Sequence, residues 1–112
     1  MSNAIARKLN FIQQKSAMRS IDVANMLGTR PETVSRWNQG RAFPLPGAQR
    51  ALLDLEYIAD QLSDFYEPND VRLWLFSRQK LLGGAVSAEL IQQGQAKAVI
   101  RHVDELREGV FV

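Results

Sequence analysis

The segment from residue 20 to residue 40, SIDVANMLGTRPETVSRWNQG, constrains the fold of this chain more than any other part of the sequence. Its first half is a short run of apolar residues at helical spacing. Gly28 follows that run, where a left-handed residue ends a helix at least cost. A second helical run starts at once with Pro31 in its first turn, where the missing N–H of proline costs nothing. The segment predicts two short helices joined by a glycine turn.

Polar residues at the start of both predicted helices supply candidate caps. Ser20 is predicted to cap the first helix, because its hydroxyl can accept from an unpaired backbone N–H of the first turn. Thr29 is predicted to cap the second helix, with Glu32 completing a capping box three residues later.

The second predicted helix is apolar on one side and polar on the other. Val34 and Trp37 share the apolar side, since they are three residues apart. A helix whose polar side carries arginine, threonine and asparagine suits the major groove of DNA. The pattern predicts a helix-turn-helix DNA-binding unit; the alternative is an ordinary helical hairpin with a polar surface. The candidate DNA-binding residues are Thr29, Arg30, Glu32, Thr33, Arg36, Asn38 and Arg41.

Charge is divided unequally along the chain. Residues 1–50 hold eight Lys and Arg against two acidic residues, a balance of +6, whereas residues 51–112 hold six against ten, a balance of −4. Because cations drive phosphate binding, the first half is the expected DNA face. The acidic second half would be repelled by DNA and is freer to contact a protein.

Helical periodicity extends over the rest of the chain, and the two-residue alternation of a strand is absent from the sequence pattern. The prediction is an all-α fold, with a helix-turn-helix bundle over residues 1–47, a long connecting helix over 48–66 and a small helical domain over 67–112. The predicted helices span residues 4–15, 21–27, 30–39, 48–65, 68–77, 87–94 and 95–108. Ser87 is the expected cap of the sixth, and Leu81–Gly84 is an expected turn.

Several function classes are disfavoured by composition. The sequence contains no cysteine and one histidine, His102, which is expected to be solvated or at an edge. Catalytic motifs and phosphate-cradling glycine loops are missing, and the carboxylates of the long helix are typical of a solvated face. We therefore expect no enzyme activity, no cofactor and no metal site. Without an 18-residue apolar run or a leader-like start, the chain is expected to be cytoplasmic and to have no membrane contact.

Both halves of the sequence resemble known families. The first half resembles the Xre-type helix-turn-helix pattern at Ala24, Leu27-Gly28, Thr33–Trp37 and Gly40. The second half resembles the C-terminal toxin-binding domain of the MbcA/ParS/Xre antitoxin family. The resemblance rests on the order of Trp74-Leu75, Leu82-Gly83-Gly84, Glu89–Ile91, Gly94, Val99, Leu106 and Gly109. Two departures are Arg78-Gln79 and Ser87, which stand where many relatives carry proline.

The resemblance implies a dimeric, all-helical antitoxin that neutralises a RES-type, NAD-consuming toxin and represses its own operon. It implies that the C-terminal end blocks the active site of the toxin. The candidate toxin-binding residues are Gly83, Gly84, Gly109, Val110, Phe111 and Val112. By its apolar character, the terminal segment could also fold back on its own core or dock on a dimer mate.

Three functions follow as hypotheses. The first is a DNA-binding antitoxin and autorepressor that binds an inverted-repeat operator as a homodimer, with dimerisation through residues after about 48. The second is a stand-alone transcription regulator with a helical dimerisation domain and no toxin. The third is a structural adaptor without DNA binding, which the charge division disfavours.

Overall fold

Seven α-helices form the framework of residues 3–109, the part of the chain that the computed structural model describes. The helices are α1 (Ala4–Ser16), α2 (Ser20–Leu27), α3 (Pro31–Asn38), α4 (Pro46–Leu62), α5 (Pro68–Phe76), α6 (Ser87–Gln92) and α7 (Ala96–Arg107). The predicted helices are confirmed in number and order, and the predicted all-α class holds for this region apart from one small strand pair. Every helix of these residues is too short or too polar to cross a membrane.

The long helix α4 is the centre of the core. Its apolar stripe is fully buried at Leu52, Leu55, Ile58 and Leu62. Helix α1 packs on one side of α4 and α7 on another, while α1 also contacts α5 and α2 contacts α6. The core is therefore continuous across the parts that the sequence predicts as separate domains.

The predicted end of α4 is wrong by three residues. Phe65, the last residue of the predicted helix over 48–65, lies beyond the last helical residue, Leu62, and is exposed. Its backbone N–H donates to the Leu62 carbonyl at 3.0 Å in a tightening turn. The helix cannot continue far, because Glu67 precedes Pro68 and a residue before proline disfavours the helical conformation. The ring of Phe65 packs edge-on against Tyr66.

The three predicted caps are corrected by one position each. Ser20 is the first residue of α2, and Arg19 holds the cap position, where its N–H donates to the Asp22 carboxylate at 2.9 Å. Thr29 does not cap α3, because its N–H donates back to Ala24 at 2.9 Å and closes the end of α2. Arg30 holds that cap position without a side-chain hydrogen bond, so the predicted capping box with Glu32 is also absent. Ser87 begins α6, whose cap position is Val86.

The turn expected at residues 81–84 is confirmed, and a pair of two-residue strands that the sequence pattern did not predict flanks it. Strands β1 (Arg78–Gln79) and β2 (Ala85–Val86) are antiparallel, with Arg78 opposite Val86. A single 3₁₀ turn, Lys80–Leu82, lies between them. Strands this short show no alternation, so periodicity alone does not detect them.

Candidate functional site

Helix α3 is held by its apolar side and presents its polar side outward. Val34 and Trp37 are buried in the common core, as the spacing predicts. Gly28 adopts a φ of +67° at the end of α2, and Pro31 is the first residue of α3, so the glycine turn between the two helices is confirmed. We call α2, α3 and this turn the α2–α3 unit.

A concave groove of about 430 Å³ runs along the outer side of the α2–α3 unit. It brings together three of the predicted DNA-binding residues, Glu32, Arg36 and Arg41. The Arg41 N–H donates to the Arg36 carbonyl at 2.8 Å, which holds the chain close to α3 as it leaves the helix. Sequence reasoning missed other lining residues. Ser20, Pro31, Ser35 and Gln39 also line the groove.

Those missed residues carried unequal signals in the sequence. Ser35 and Gln39 lie on the same helical side as Glu32 and Arg36, so the spacing of α3 could have identified them. Ser20 comes from α2, and its position at the groove depends on how the two helices pack.

The arginines of this region are free to meet an anion. Arg30, Arg36 and Arg41 are exposed, and none forms an ion pair with another side chain of residues 3–109. Unpaired guanidinium groups can bind phosphate oxygens or form two hydrogen bonds to guanine. Glu32 is also exposed and can accept from cytosine N4. The groove therefore has donors and an acceptor suited to base edges.

The remaining predicted residues of α3 lie elsewhere. Thr29 and Thr33 line an apolar hollow of about 290 Å³ beside Trp37, on the side of α3 away from Gln39. Asn38 is exposed and lies outside both linings, and so does Arg30.

A partly buried charge pair joins the α2–α3 unit to the second half of the chain. The Asp22 carboxylate in α2 accepts from Arg72 Nη2 in α5 at 3.1 Å and from Arg72 Nε at 3.4 Å. Arg19 Nε is more distant, at 3.9 Å. The guanidinium of Arg72 also lies over the Phe76 ring, 5.2 Å from its centre. This pair fixes α2 against α5.

The candidate toxin-binding glycines Gly83 and Gly84 form the tip of the β1–β2 hairpin. Their φ angles are +69° and +83°, which side chains rarely adopt, and a Cβ at either position would meet open space. Backbone conformation therefore accounts for the choice of glycine at both positions. Arg78 Nη1 donates to the Gly84 carbonyl at 3.1 Å, so this departure from the usual proline braces the turn.

The last of the candidate toxin-binding residues lie at the C-terminal end. Gly109 has a φ of +69° one residue beyond Glu108, the C-cap of α7, and is exposed. Val110, Phe111 and Val112 lie outside the described residues.

His102 is buried, so the prediction of a solvated or edge position is wrong. Its ring stacks on Trp74, with 5.4 Å between ring centres and 25° between ring planes. Burial lowers the pKa of His102 below its usual value, and the charge of Glu105 opposes this only in part. Trp74 is half-buried by the same contact and borders a hollow of about 370 Å³ with Tyr66, Leu73 and Ser77.

Carboxylates in and just after α4 form ion pairs with other helices, which a fully solvated face would not. Glu56 accepts from Lys8 Nζ at 3.2 Å, and Asp64, just past the helix, accepts from Arg107 at 2.6 Å. The Tyr57 hydroxyl donates to Asp104 at 2.8 Å, and this hydrogen bond raises the pKa of Tyr57. These contacts attach α4 to α1 and α7. The region from residue 3 to residue 109 contains no group of three His, Cys, Asp or Glu able to hold a metal ion.

Comparisons with known proteins identify relatives that match along the whole chain. The mycobacterial cidal antitoxin MbcA of Mycobacterium tuberculosis is 27% identical over 110 residues, which cover 98% of this chain and 97% of the relative, and MbcA of Mycobacterium bovis matches equally. No protein-family model matches the chain.

A solved structure agrees in fold. A chain of the crystal structure of the M. tuberculosis MbcT–MbcA toxin–antitoxin complex superposes with a TM-score of 0.85 and 27% identity, covering 98% of this chain and 99% of that one. The near-complete coverage in both directions indicates that the same helices occur in the same order.

Proposed function

We propose that this chain, which is homologous to the MbcA antitoxins, is the antitoxin of a toxin–antitoxin pair. The observation that carries the proposal is the match in sequence and fold over almost the full length of both chains. MbcA itself is an antitoxin whose crystal structure is a complex with MbcT. A similar fold with conserved helix order gives this chain the same framework on which to hold a toxin.

The partner that we propose is a RES-type toxin that consumes NAD. Residues 67–112 would contact it, through the hairpin tip at Gly83 and Gly84 and through the terminal segment from Gly109 to Val112. A short apolar terminus suits a nucleotide pocket that a folded domain cannot enter. Phe111 is the expected anchor, because a planar ring buries a large area at modest entropic cost.

We further propose that the α2–α3 unit is a helix-turn-helix that binds operator DNA and represses the chain's own operon. The groove with Glu32, Arg36 and Arg41 supports this, as do the unpaired arginines and the +6 balance of residues 1–50. Two copies would bind an inverted repeat with half-sites about one helical turn apart.

The DNA proposal is tested with the promoter upstream of the chain's own gene. Arg36→Ala is expected to weaken specific binding by about 1–3 kcal/mol if the side chain contacts a base, and binding should weaken steeply with salt. Arg101→Ala, an exposed arginine of α7, is the charge-matched control and should leave affinity unchanged. Equal losses in both variants, or binding without sequence selectivity, would refute a specific site at the groove.

The toxin proposal is tested by co-expression with a RES-type toxin, taken from the gene beside the chain's own where that gene encodes one. The full chain is expected to restore growth and cellular NAD. A chain that lacks residues 109–112 is expected to keep its helical content and DNA affinity but to lose protection. Full rescue by the truncated chain would refute the role of the terminal segment. Loss of folding would instead assign Phe111 to the chain's own core. Absence of any rescue by the full chain would favour a stand-alone regulator.

A further inference from the structure

The loop between α3 and α4 carries the two most exposed large apolar side chains of residues 3–109. Phe43 is 68% exposed and Leu45 is 78% exposed, while Pro44 between them is buried. The loop is anchored, because Gln49 Nε2 donates to the Pro44 carbonyl at 2.8 Å. Two apolar side chains are thus held outward by a fixed backbone.

These side chains border the apolar hollow of about 290 Å³ beside α3. Among the residues that the structure describes, those that line the hollow are all uncharged, which disfavours DNA or a charged peptide as its occupant. We call this surface the loop face. It consists of Thr29, Thr33, Trp37, Ala42, Phe43, Pro44, Leu45 and Ala48.

We propose that the loop face docks a second copy of this chain when two copies occupy neighbouring half-sites of one DNA duplex. The inference rests on the proposed DNA binding and adds the surface through which it becomes cooperative. A two-fold contact requires one patch that is complementary to itself. The loop face meets that requirement, because the projecting Phe43 and Leu45 and the hollow that could receive them lie on the same patch.

The small apolar area of the loop face favours a contact between copies that are both bound to DNA, and it disfavours a dimer that persists without DNA. Full burial of an aromatic side chain covers about 150–250 Å². Phe43 and Leu45 together therefore offer a few hundred Å², whereas a stable interface covers about 800 Å² on each partner. The contact is too small to persist between free copies at micromolar concentration.

The positive charges beside the loop face also make the contact between two copies depend on DNA. Arg30 comes directly after Thr29 of the loop face, and Arg41 comes directly before Ala42. Two free copies that met through their loop faces would therefore bring like charges together. Phosphates bound by these arginines would remove that repulsion. Adjacent half-sites also raise the effective concentration of the second copy to about the millimolar range.

The test measures binding to duplexes that carry one or two half-sites. The wild-type chain is expected to bind the two-site duplex cooperatively, with a gain of about 100-fold over independent sites, and to sediment as a monomer without DNA. Phe43→Ser/Leu45→Ser is expected to keep the one-site affinity and to lose the gain. Leu53→Ser, a 47% exposed apolar residue of α4, is the matched control and should keep the gain.

Other outcomes identify a different occupant or surface. If the double variant keeps its circular dichroism but loses one-site affinity, the loop face contacts DNA and the proposal fails. If Leu53→Ser alone removes the gain, the copies meet through α4, as the sequence predicts for residues after 48. A wild-type dimer that persists without DNA also overturns the proposal. If the wild-type chain binds no DNA, the proposed function fails with it, whereas one-site binding without cooperativity refutes the loop face alone.

Discussion

Replacing Arg72 with methionine should destabilise the fold by about 2 kcal/mol. The substitution keeps an unbranched apolar stem beside Phe76 but removes the nearer guanidinium from the buried Asp22 carboxylate, which keeps the Arg19 N–H at 2.9 Å and Arg19 Nε at 3.9 Å. Removal of one partner from a buried pair costs about 3–5 kcal/mol, and an exposed pair contributes about 0–1 kcal/mol. The Arg72 side chain is 38% exposed, so an intermediate value applies. For a chain of 112 residues this corresponds to a fall in Tm of about 8 °C.

Urea denaturation followed by circular dichroism measures this loss. In a double-mutant cycle with Asp22→Asn, the two substitutions should be non-additive by about 1 kcal/mol or more. Arg107→Met is the control, because Arg107 Nη1 lies only 2.6 Å from Asp64 while both side chains are at least half exposed. It should leave the unfolding midpoint unchanged. An Arg72→Met protein as stable as the wild type, or an equal loss in Arg107→Met, would refute the argument from burial.

Three further predictions concern stability. Ser87→Ala should be neutral or stabilising by up to about 1 kcal/mol, since the buried Oγ of Ser87 has no hydrogen-bond partner in the described region. Ser16→Ala should destabilise by about 1 kcal/mol, because it removes the hydrogen bond from the Ser16 hydroxyl to a backbone carbonyl. The midpoints of urea denaturation compare the two variants. The free energy of unfolding should fall as pH drops below about 6.5, because His102 has a lowered pKa in the folded chain and therefore binds its proton more readily in the unfolded chain. His102→Phe should reduce this dependence of the free energy of unfolding on pH. Gly28→Ala should destabilise by about 1–2 kcal/mol because of the positive φ of Gly28. Gly47→Ala should stabilise by about 0.4–1 kcal/mol, because Gly47 lies in α4 and an added Cβ would meet open space; opposite shifts in Tm would verify both.

The helices were predictable because local signals determine them. Apolar spacing located the stripes of α1, α4 and α7, and the backbone constraints of Gly28 and Pro31 located the turn before α3. The caps were each misplaced by one residue, since neighbouring positions compete for the same backbone donors. Thr29 illustrates this: it had the right side chain for a cap, but its N–H closes α2.

Features that depend on distant residues were not predictable from the sequence. Asp22 and Arg72 are 50 residues apart and meet only because α2 packs near α5. His102 looked polar and solvated from its neighbours, yet Trp74 covers it from another helix. The groove itself was not predicted: Glu32 and Arg36 of α3 were candidate residues from their spacing, whereas the position of Ser20 at the groove depends on how α2 packs beside α3.

Binding and neutralisation of a toxin are tested by purifying the chain after co-expression with an affinity-tagged RES-type protein, taken from the neighbouring gene where that gene encodes one. We expect a stable complex with defined stoichiometry by light scattering and no NAD consumption by the bound toxin. A folded chain that separates from the tagged protein, with the toxin's NAD consumption unchanged when the two are mixed, would contradict it.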